Sequence, residues 1–310
     1  MIFRDETGLL TEPTMERLGD GTLLATWAEG PVWLPTERVL RYSDIPGDRI
    51  LVWDQATGMV GIHRDQVGFT NGRTTGLNGE VIQCSHGNRS IEIEESGTVR
   101  TLVDSWCGHR FNSPNDVVVK SDGSIWFTDP SYGILRPREG HPGVLEYGDH
   151  WVFRFDPQSG DCDPVITDIE IPNGIAFSPD ESLLYVCDNS IDMPSEQPNP
   201  SGTHAIRVYR VVSGRRCKGG RDFVTVADGI ADGIRVDELG NVWTAQFSGI
   251  HVYDQTGREI AYVASPHGHV GNLCFGGDDG TDLFMLCATQ AYRLRTRVRD
   301  ASHLLRVRQD

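Results

Sequence analysis

Polar and apolar positions along this chain alternate in short runs rather than in helical periods. Val39-Leu-Arg-Tyr-Ser, Ile125-Trp-Phe-Thr, Trp151-Val-Phe-Arg-Phe-Asp and Gly249-Ile-His-Val-Tyr-Asp are short, rich in β-branched and aromatic residues, and bounded by turn residues, which is the signature of strands in hairpins. The turns include Lys120-Ser-Asp-Gly, Ser178-Pro-Asp-Glu-Ser, Asp237-Glu-Leu-Gly-Asn and Gly276-Gly-Asp-Asp-Gly. Their chemistry fits, because Gly and Asn accept positive φ while Pro and Asp favour the first turn positions. Only residues 11–19 have room for one or two helical turns, and nothing resembles the alternating helix and strand of a parallel α/β sheet.

The strands recur as a unit. Six segments open alike: Glu29-Gly-Pro-Val-Trp, Asn71-Gly-Arg-Thr-Thr, Asn115-Asp-Val-Val-Val, Asn173-Gly-Ile-Ala-Phe, Asp232-Gly-Ile-Arg-Val and Gly271-Asn-Leu-Cys-Phe. They lie roughly 40 to 60 residues apart, the period of propeller blades. Each is followed by a turn, a second strand such as Val81-Ile-Gln-Cys-Ser or Leu184-Tyr-Val-Cys, a third such as Arg49-Ile-Leu-Val-Trp-Asp or Ala205-Ile-Arg-Val-Tyr-Arg, and a weaker fourth such as Phe223-Val-Thr-Val. The pattern predicts an all-β, six-bladed β-propeller with four-stranded antiparallel blades around a central channel. It would form one domain over residues 1–310, with blades starting near 29, 71, 115, 173, 232 and 271. The first residues or the segment around Leu304-Leu-Arg-Val-Arg are expected to close the ring, since an unpaired edge strand is a liability.

Equivalent positions of successive blades form a ring around one axis. Glu29, Asn71, Asn115, Asn173, Asp232 and Gly271 would form such a ring, with two acids and the amides aiming oxygen at a common centre. Because the second strand of a blade runs back antiparallel, the residue just past it returns to the same level. Those residues are Asp44, His86, Asp129, Asp188, Gln246 and Ala288. A mouth so lined repels itself unless a cation sits in it. Oxygen donors select hard ions, Ca2+ first, with Mg2+, Mn2+, Fe2+ and Zn2+ as alternatives. An Asp at a strand end has a second use, as an acceptor that holds a turn through backbone N–H groups. The longest connections follow Asp129 and Asp188, and place Tyr132, Arg136, Arg138 and His141 at the rim.

Composition narrows the partners. The 310 residues include 35 Gly and 16 Pro, suited to many tight turns, and carry a net charge of -16. That charge disfavours nucleic acid and anionic membrane surfaces as partners, leaving a small molecule as the expected ligand of a monomer or small homo-oligomer. The seven Cys are scattered without a Cys-x-x-Cys pair; with no secretory signal and no apolar run of about 20 residues, a cytoplasmic protein is expected.

Phe111-Asn-Ser-Pro-Asn-Asp-Val-Val-Val-Lys-Ser-Asp-Gly-Ser-Ile-Trp-Phe-Thr-Asp-Pro-Ser-Tyr-Gly-Ile resembles the signature of bacterial members of the gluconolactonase, senescence marker protein 30 and luciferin-regenerating enzyme family. Ala28-Glu-Gly-Pro-Val-Trp, Cys84-Ser-His-Gly-Asn-Arg, Ile171-Pro-Asn-Gly-Ile-Ala-Phe-Ser-Pro-Asp and Ala231-Asp-Gly-Ile-Arg-Val-Asp support it, so the resemblance runs from Glu29 to about Thr289. It implies one divalent cation in the channel, with Glu29, Asn173 and Asp232 as ligands and Asn115 touching metal or substrate. His86 stands where the more distant paraoxonases keep a catalytic histidine. The stretch around Asn71 and Thr74 to Gly79 fits the family only loosely, and Ser85 stands where many bacterial members carry an acid, so the substrate can differ from gluconolactone.

The expected reaction is metal-assisted hydrolysis of a small lactone. The cation polarises the carbonyl, and Asp232 first, Asp129 or Asp188 second, or else His86, takes a proton from water. Asn115, Tyr132 and Arg136 would bind substrate. The chain has no Gly-x-Ser-x-Gly elbow and no His-Glu-x-x-His, which argues against nucleophilic and zincin chemistry. Two rivals stand beside this reading: a phosphotriesterase on the same fold, and a non-catalytic binding propeller. The second has no use for a ring of oxygen donors.

Overall fold

In the computed structural model, residues 3–11, 14–192, 202–227 and 229–302 are described. They fold as six antiparallel blades around a channel, with the innermost strands Ala28–Leu34, Thr70–Thr75, Val117–Val119, Pro172–Phe177, Ala231–Val236 and Val270–Gly276. We number the blades 1 to 6 in that order. Strands follow one another outward in blades 1 to 5, as the hairpin pattern predicts.

Blade 6 is finished by the other end of the chain. Its three strands from Val270 to Arg295 gain Glu16–Arg17 as a fourth, with Glu16 opposite Arg293 and Arg17 opposite Tyr292. Phe3–Asp5 adds a fifth strand to blade 5. Closure from the first residues is thus borne out, whereas Leu304 and its neighbours lie outside the described residues. Where residues 11–19 had room for one or two helical turns, the described residues hold this strand at Glu16–Arg17 instead. Pairing the exposed edge of blade 6 outweighs local helical tendency there. Among the described residues helix is confined to Tyr132–Leu135 and a 3-10 turn at Ser190–Asp192, each in one of the two long connections, and residues 193–201 of the second lie outside the description.

Each seam between blades has its own core. Trp243, Leu273 and Met285 fill the seam of blades 5 and 6, Trp33, Leu40 and Phe284 that of 6 and 1, and Phe111, Phe127 and Phe153 that of 2 and 3. Seam 1 to 2 differs. Its apolar cluster is small, with Val32, Leu34, Val39 and Val81, and buried polar groups hold the rest. Arg73 donates to Gly30 O, Ser43 Oγ and Thr70 Oγ1, and Arg41 pairs with Glu94 at 3.2 Å. This polar seam is why Asn71-Gly-Arg-Thr-Thr departs from the apolar pattern of its counterparts.

Candidate active site

The ring positions share a backbone irregularity. In blades 1, 2, 4, 5 and 6 the pairing of the innermost strand slips within the Glu29, Asn71, Asn173, Asp232 and Gly271 segments. In blade 3, Asn115 and Asp116 both face Thr128: Asn115 N donates to Thr128 O and Asp116 N to Thr128 Oγ1. A bulge places two residues opposite one and re-aims a side chain. The residue after each ring member is therefore pressed against the next blade. It is Gly at 30, 72, 174 and 233. A Cβ on Gly30 would lie 1.9 Å from Asn71 O, and one on Gly174 2.2 Å from Asp232 O.

Blades 3 and 6 break that rule, with Asp116 and Asn272. Asn272 Nδ2 donates to Glu29 Oε2 at 2.9 Å, and Gly30 N donates to the same oxygen at 2.9 Å. The other oxygen, Oε1, lies where a Cβ on Gly271 would come within 2.4 Å of it. Gly271 thus makes the room that the Glu29 carboxylate occupies. Burial, with the nearby charges of Asp116 and Glu139, raises the Glu29 pKa to about 7 against its two donors. Asp116 accepts from Val117 N at 3.0 Å and Ile175 N at 3.3 Å, and pairs with Arg235 of blade 5 at 3.5 Å. Neither Asp116 nor Asn272 was singled out from the sequence. The available signal was that they interrupt the glycine register.

Asn115 and Asn173 retain only 6% and 7% of their surface. Among the described residues their side-chain amides make no hydrogen bond. Asp232 is the least buried of the four expected ligands.

The second ring returns to the level of the first, with Asp44 opposite Ala28, Asp188 opposite Pro172 and Gln246 opposite Ala231. Its acids face the entering loops rather than the channel. Asp44 Oδ1 accepts from Thr26 N and Trp27 N, Asp129 from Asn112 N and Ser113 N, and Asp188 from Glu170 N and Ile171 N. Asp129 also accepts Tyr147 Oη–H at 2.6 Å. Burial lifts Asp129 to about 7, a value that suits a general base. Its oxygens are nonetheless committed to loop donors in a fully buried position. Gln246 Nε2 donates to Tyr253 Oη, and Ala288 has a positive φ of 50°.

His86 is wholly buried, and the geometry fixes its tautomer. Nδ1 lies 3.0 Å from the Glu139 carbonyl, which can only accept, so Nδ1 carries the proton. Nε2 then accepts from Asn71 Nδ2 at 3.2 Å. Burial lowers the His86 pKa to about 4, so the ring is neutral at pH 7. The short helix Tyr132–Leu135 lies on it, where a Cβ on Gly133 would meet His86 Cβ at 2.5 Å. Tyr132 is buried beneath the Arg136 guanidinium, 4.7 Å from its ring centroid, and Arg136 pairs with Glu139 at 3.4 Å. His141 packs edge-on against Phe69 at the mouth, and Arg138 is exposed. At the other end of the channel a cavity of about 600 Å³ opens, lined by Trp33, Arg73, Phe177, Arg235 and Phe275.

The side-chain oxygens of the ring are of the kind that hold a hard divalent cation. Among the described residues no three His, Cys, Asp or Glu groups converge on one point, so a site here depends on the amides of Asn115 and Asn173 joining the carboxylates of Glu29 and Asp232. That donor set is all oxygen and carries two charges.

A six-bladed propeller with an oxygen-lined channel is the class that these features define. Residues 27–289 match the SMP-30/Gluconolactonase/LRE-like region, and the chain belongs to that family. It is 29% identical to a gluconolactonase of Zymomonas mobilis over 287 residues, covering 87% of this chain and 79% of that protein. It is 28% identical to the pentonolactonase XacC of Haloferax volcanii, covering 84% of this chain and 81% of that one. The solved structure of XC5397 from Xanthomonas campestris, described as a gluconolactonase, superposes with a TM-score of 0.84 at 32% identity, covering 95% of this chain and 94% of that one.

Proposed function

We propose that this protein is a divalent-cation-dependent lactonase acting on a sugar lactone or a related small lactone at the channel mouth. The observation that carries the reading is the pair Asn115 and Asn173, largely buried residues whose side-chain amides make no hydrogen bond among the described residues and stand in register with Glu29 and Asp232. A cation in the ring would satisfy both amides, whereas a purely binding propeller gains nothing from them. The lactone-hydrolysing relatives support the substrate class.

When bound, the cation, Ca2+ by the donor set, would polarise the lactone carbonyl. Glu29, Asn115, Asn173 and Asp232 would hold it. Asp232, the least buried of them, would accept a proton from the water that attacks the carbonyl carbon. The proton would then pass to the ring oxygen as the acyl C–O bond breaks, leaving a hydroxy acid. A carboxylate has two oxygens, so holding an ion through one does not bar proton transfer at the other. His86 is sealed under the rim helix and serves to position Asn71 at the mouth. Arg136, partly exposed above Tyr132, would receive substrate hydroxyls. Asp129 and Asp188 would hold the loops on which the rim stands.

The test is an assay of gluconolactone, a pentonolactone and a phosphotriester, with and without chelator, followed by proton release. Lactone turnover that chelation abolishes and Ca2+ restores is expected. Chelator-insensitive turnover would remove the ion, turnover of the phosphotriester alone would move the activity to a different ester, and no hydrolysis would leave a binding protein.

A further inference from the structure

Blade 5 carries a second constellation of side chains, outside the ring. Its third strand is Gly249–Tyr253 and its fourth Glu259–Ala264. Ile250 and Val252 point into the seam with blade 6, so His251 lies on the opposite face, cross-strand from Tyr262. There Ser248 Oγ, in the turn after Gln246, lies 3.0 Å from His251 Nε2, and His251 Nδ1 lies 3.0 Å from Glu259 Oε2. Glu259 Oε1 is paired with Arg4 of the added fifth strand.

Donors and acceptors assign the roles. A carboxylate can only accept, so Nδ1 carries the proton of the neutral ring and Nε2 offers its lone pair to the Ser248 hydroxyl. Each contact alone is ordinary on a sheet. Both together, in the order hydroxyl, imidazole, carboxylate, are the arrangement that activates a serine, which is defined by geometry rather than by a sequence motif. The chain needs no Gly-x-Ser-x-Gly elbow for it, because a hairpin turn and two neighbouring strands supply the three groups. The main chain of Ser248 is anchored: its carbonyl accepts from Ser265 N at 2.8 Å and from Tyr262 Oη at 2.9 Å. Its own N–H makes no hydrogen bond among the described residues, and so remains for an oxygen that turns anionic on an atom bonded to Oγ. Ser248 is half-buried, and His251 and Glu259 keep 15% and 28% of their side-chain surface, which leaves the trio at the surface rather than in the core.

We propose that Ser248, His251 and Glu259 form a second reactive site, a serine nucleophile that takes the acyl group of small carboxylic esters, independent of the ring and of any ion. Ser248 Oγ bonds to the acyl carbon as its proton passes to His251 Nε2. The ester C–O bond then breaks as that proton goes to the departing alcohol oxygen. Water next attacks the acyl carbon, its proton passing through Nε2 to Oγ, and the free acid leaves with Ser248 restored. Glu259 orients the ring and balances the imidazolium charge. Rings surround the trio and favour an apolar acyl group: Tyr262 packs on His251 at 4.7 Å, and Phe247, next to Ser248, is stacked on His269 at 4.0 Å.

The experiment treats the purified full-length chain, with chelator present to silence the ring, with phenylmethanesulfonyl fluoride, whose S–F bond breaks in place of the ester C–O. One equivalent should attach, and mass mapping of peptides should place it on Ser248; the chain unfolded in urea should take none. Ser248→Ala should stay unlabelled. His251→Gln should react about 100-fold more slowly or less, and Glu259→Gln about tenfold more slowly or less, with circular dichroism to verify folding. Hydrolysis of p-nitrophenyl acetate under chelator should fall in the same order. Ca2+-dependent lactone turnover, at a separate site, should stay within about threefold of the parent in all three. Lactone turnover that survives chelation but is lost in Ser248→Ala would also come from this site, which separates it from the chemistry of the ring. A folded parent that carries no label on Ser248 overturns the proposal. So does an unchanged labelling rate in folded His251→Gln, or in Glu259→Gln should the former not fold.

Discussion

Asn272 Nδ2 donates to Glu29 Oε2 at 2.9 Å across the seam where the last blade meets the first. One hydrogen bond thus ties the ring's closure to the orientation of its most buried acid. Residues that orient a metal-binding side chain typically change affinity 10- to 100-fold when removed. Asn272→Ala should weaken Ca2+ binding by about that factor, measured by calorimetry, with the thermal midpoint of the ion-free protein lowered by a few degrees at most. Unchanged affinity would show that Gly30 N alone suffices to hold Glu29.

A second prediction concerns pH. The folded pKa of Glu29, raised to about 7 by burial and by Asp116, exceeds its ordinary value of 4.5. A carboxyl group with a raised folded pKa holds its proton more tightly in the folded chain. Its contribution to stability is therefore largest below the ordinary value and is lost as pH rises toward 7. In the ion-free protein this amounts to at most about 3 kcal/mol. Thermal midpoints without metal should fall between pH 4.5 and 7.5, and Glu29→Gln should flatten that slope. Ca2+ affinity should move oppositely, dropping up to about tenfold per pH unit below 7, because the ion then displaces a proton.

The division between legible and hidden features follows from range. Blade strands, turns and the ring register were legible because each rests on neighbours in sequence, as in Asn173-Gly-Ile-Ala-Phe followed by Ser178-Pro-Asp. The strand at Glu16 and Arg17 was not, since its pairing partners are Arg293 and Tyr292. The second ring was placed at the right height, but its orientation depends on loops that return to it, as Asn112 and Ser113 do to Asp129. Asp116 and Asn272 lay one residue past the ring. Only the bulge, which brings two adjacent positions to bear on the channel, gives the second of them a role.

Asp129 and Asp232 should behave as different kinds of acid. Asp129 accepts from Asn112 N, Ser113 N and Tyr147 Oη. Removing a buried acceptor with several donors leaves those donors unpaired. Asp129→Ala should therefore lower unfolding stability by about 2–4 kcal/mol, read from denaturant melts, while the folded fraction keeps lactone turnover within about tenfold of the parent. Asp232→Asn should keep its melting behaviour within about 1 kcal/mol and lose turnover by a factor of roughly 1,000. Equal loss of turnover in both would make Asp129 part of the chemistry.

Gly271 of the ring and Gly30, one residue past it, give the last contrast. Gly271 needs no side chain because Glu29 Oε1 would lie 2.4 Å from its Cβ, whereas Gly30 has φ +52° and its Cβ would lie 1.9 Å from the backbone oxygen of Asn71. A methyl group at Gly271 meets the end of a side chain, which can swing away and lose its place as a donor. The same group at Gly30 meets backbone that belongs to the next blade and cannot yield without opening the seam. Gly271→Ala should therefore fold with a thermal midpoint within a few degrees of the parent and bind Ca2+ at least tenfold more weakly. Gly30→Ala should lose roughly 3 kcal/mol or more of stability. If Gly271→Ala bound Ca2+ as tightly as the parent, the position of Glu29 Oε1 would not matter to the site, and Glu29 would have to leave the proposed ligand set.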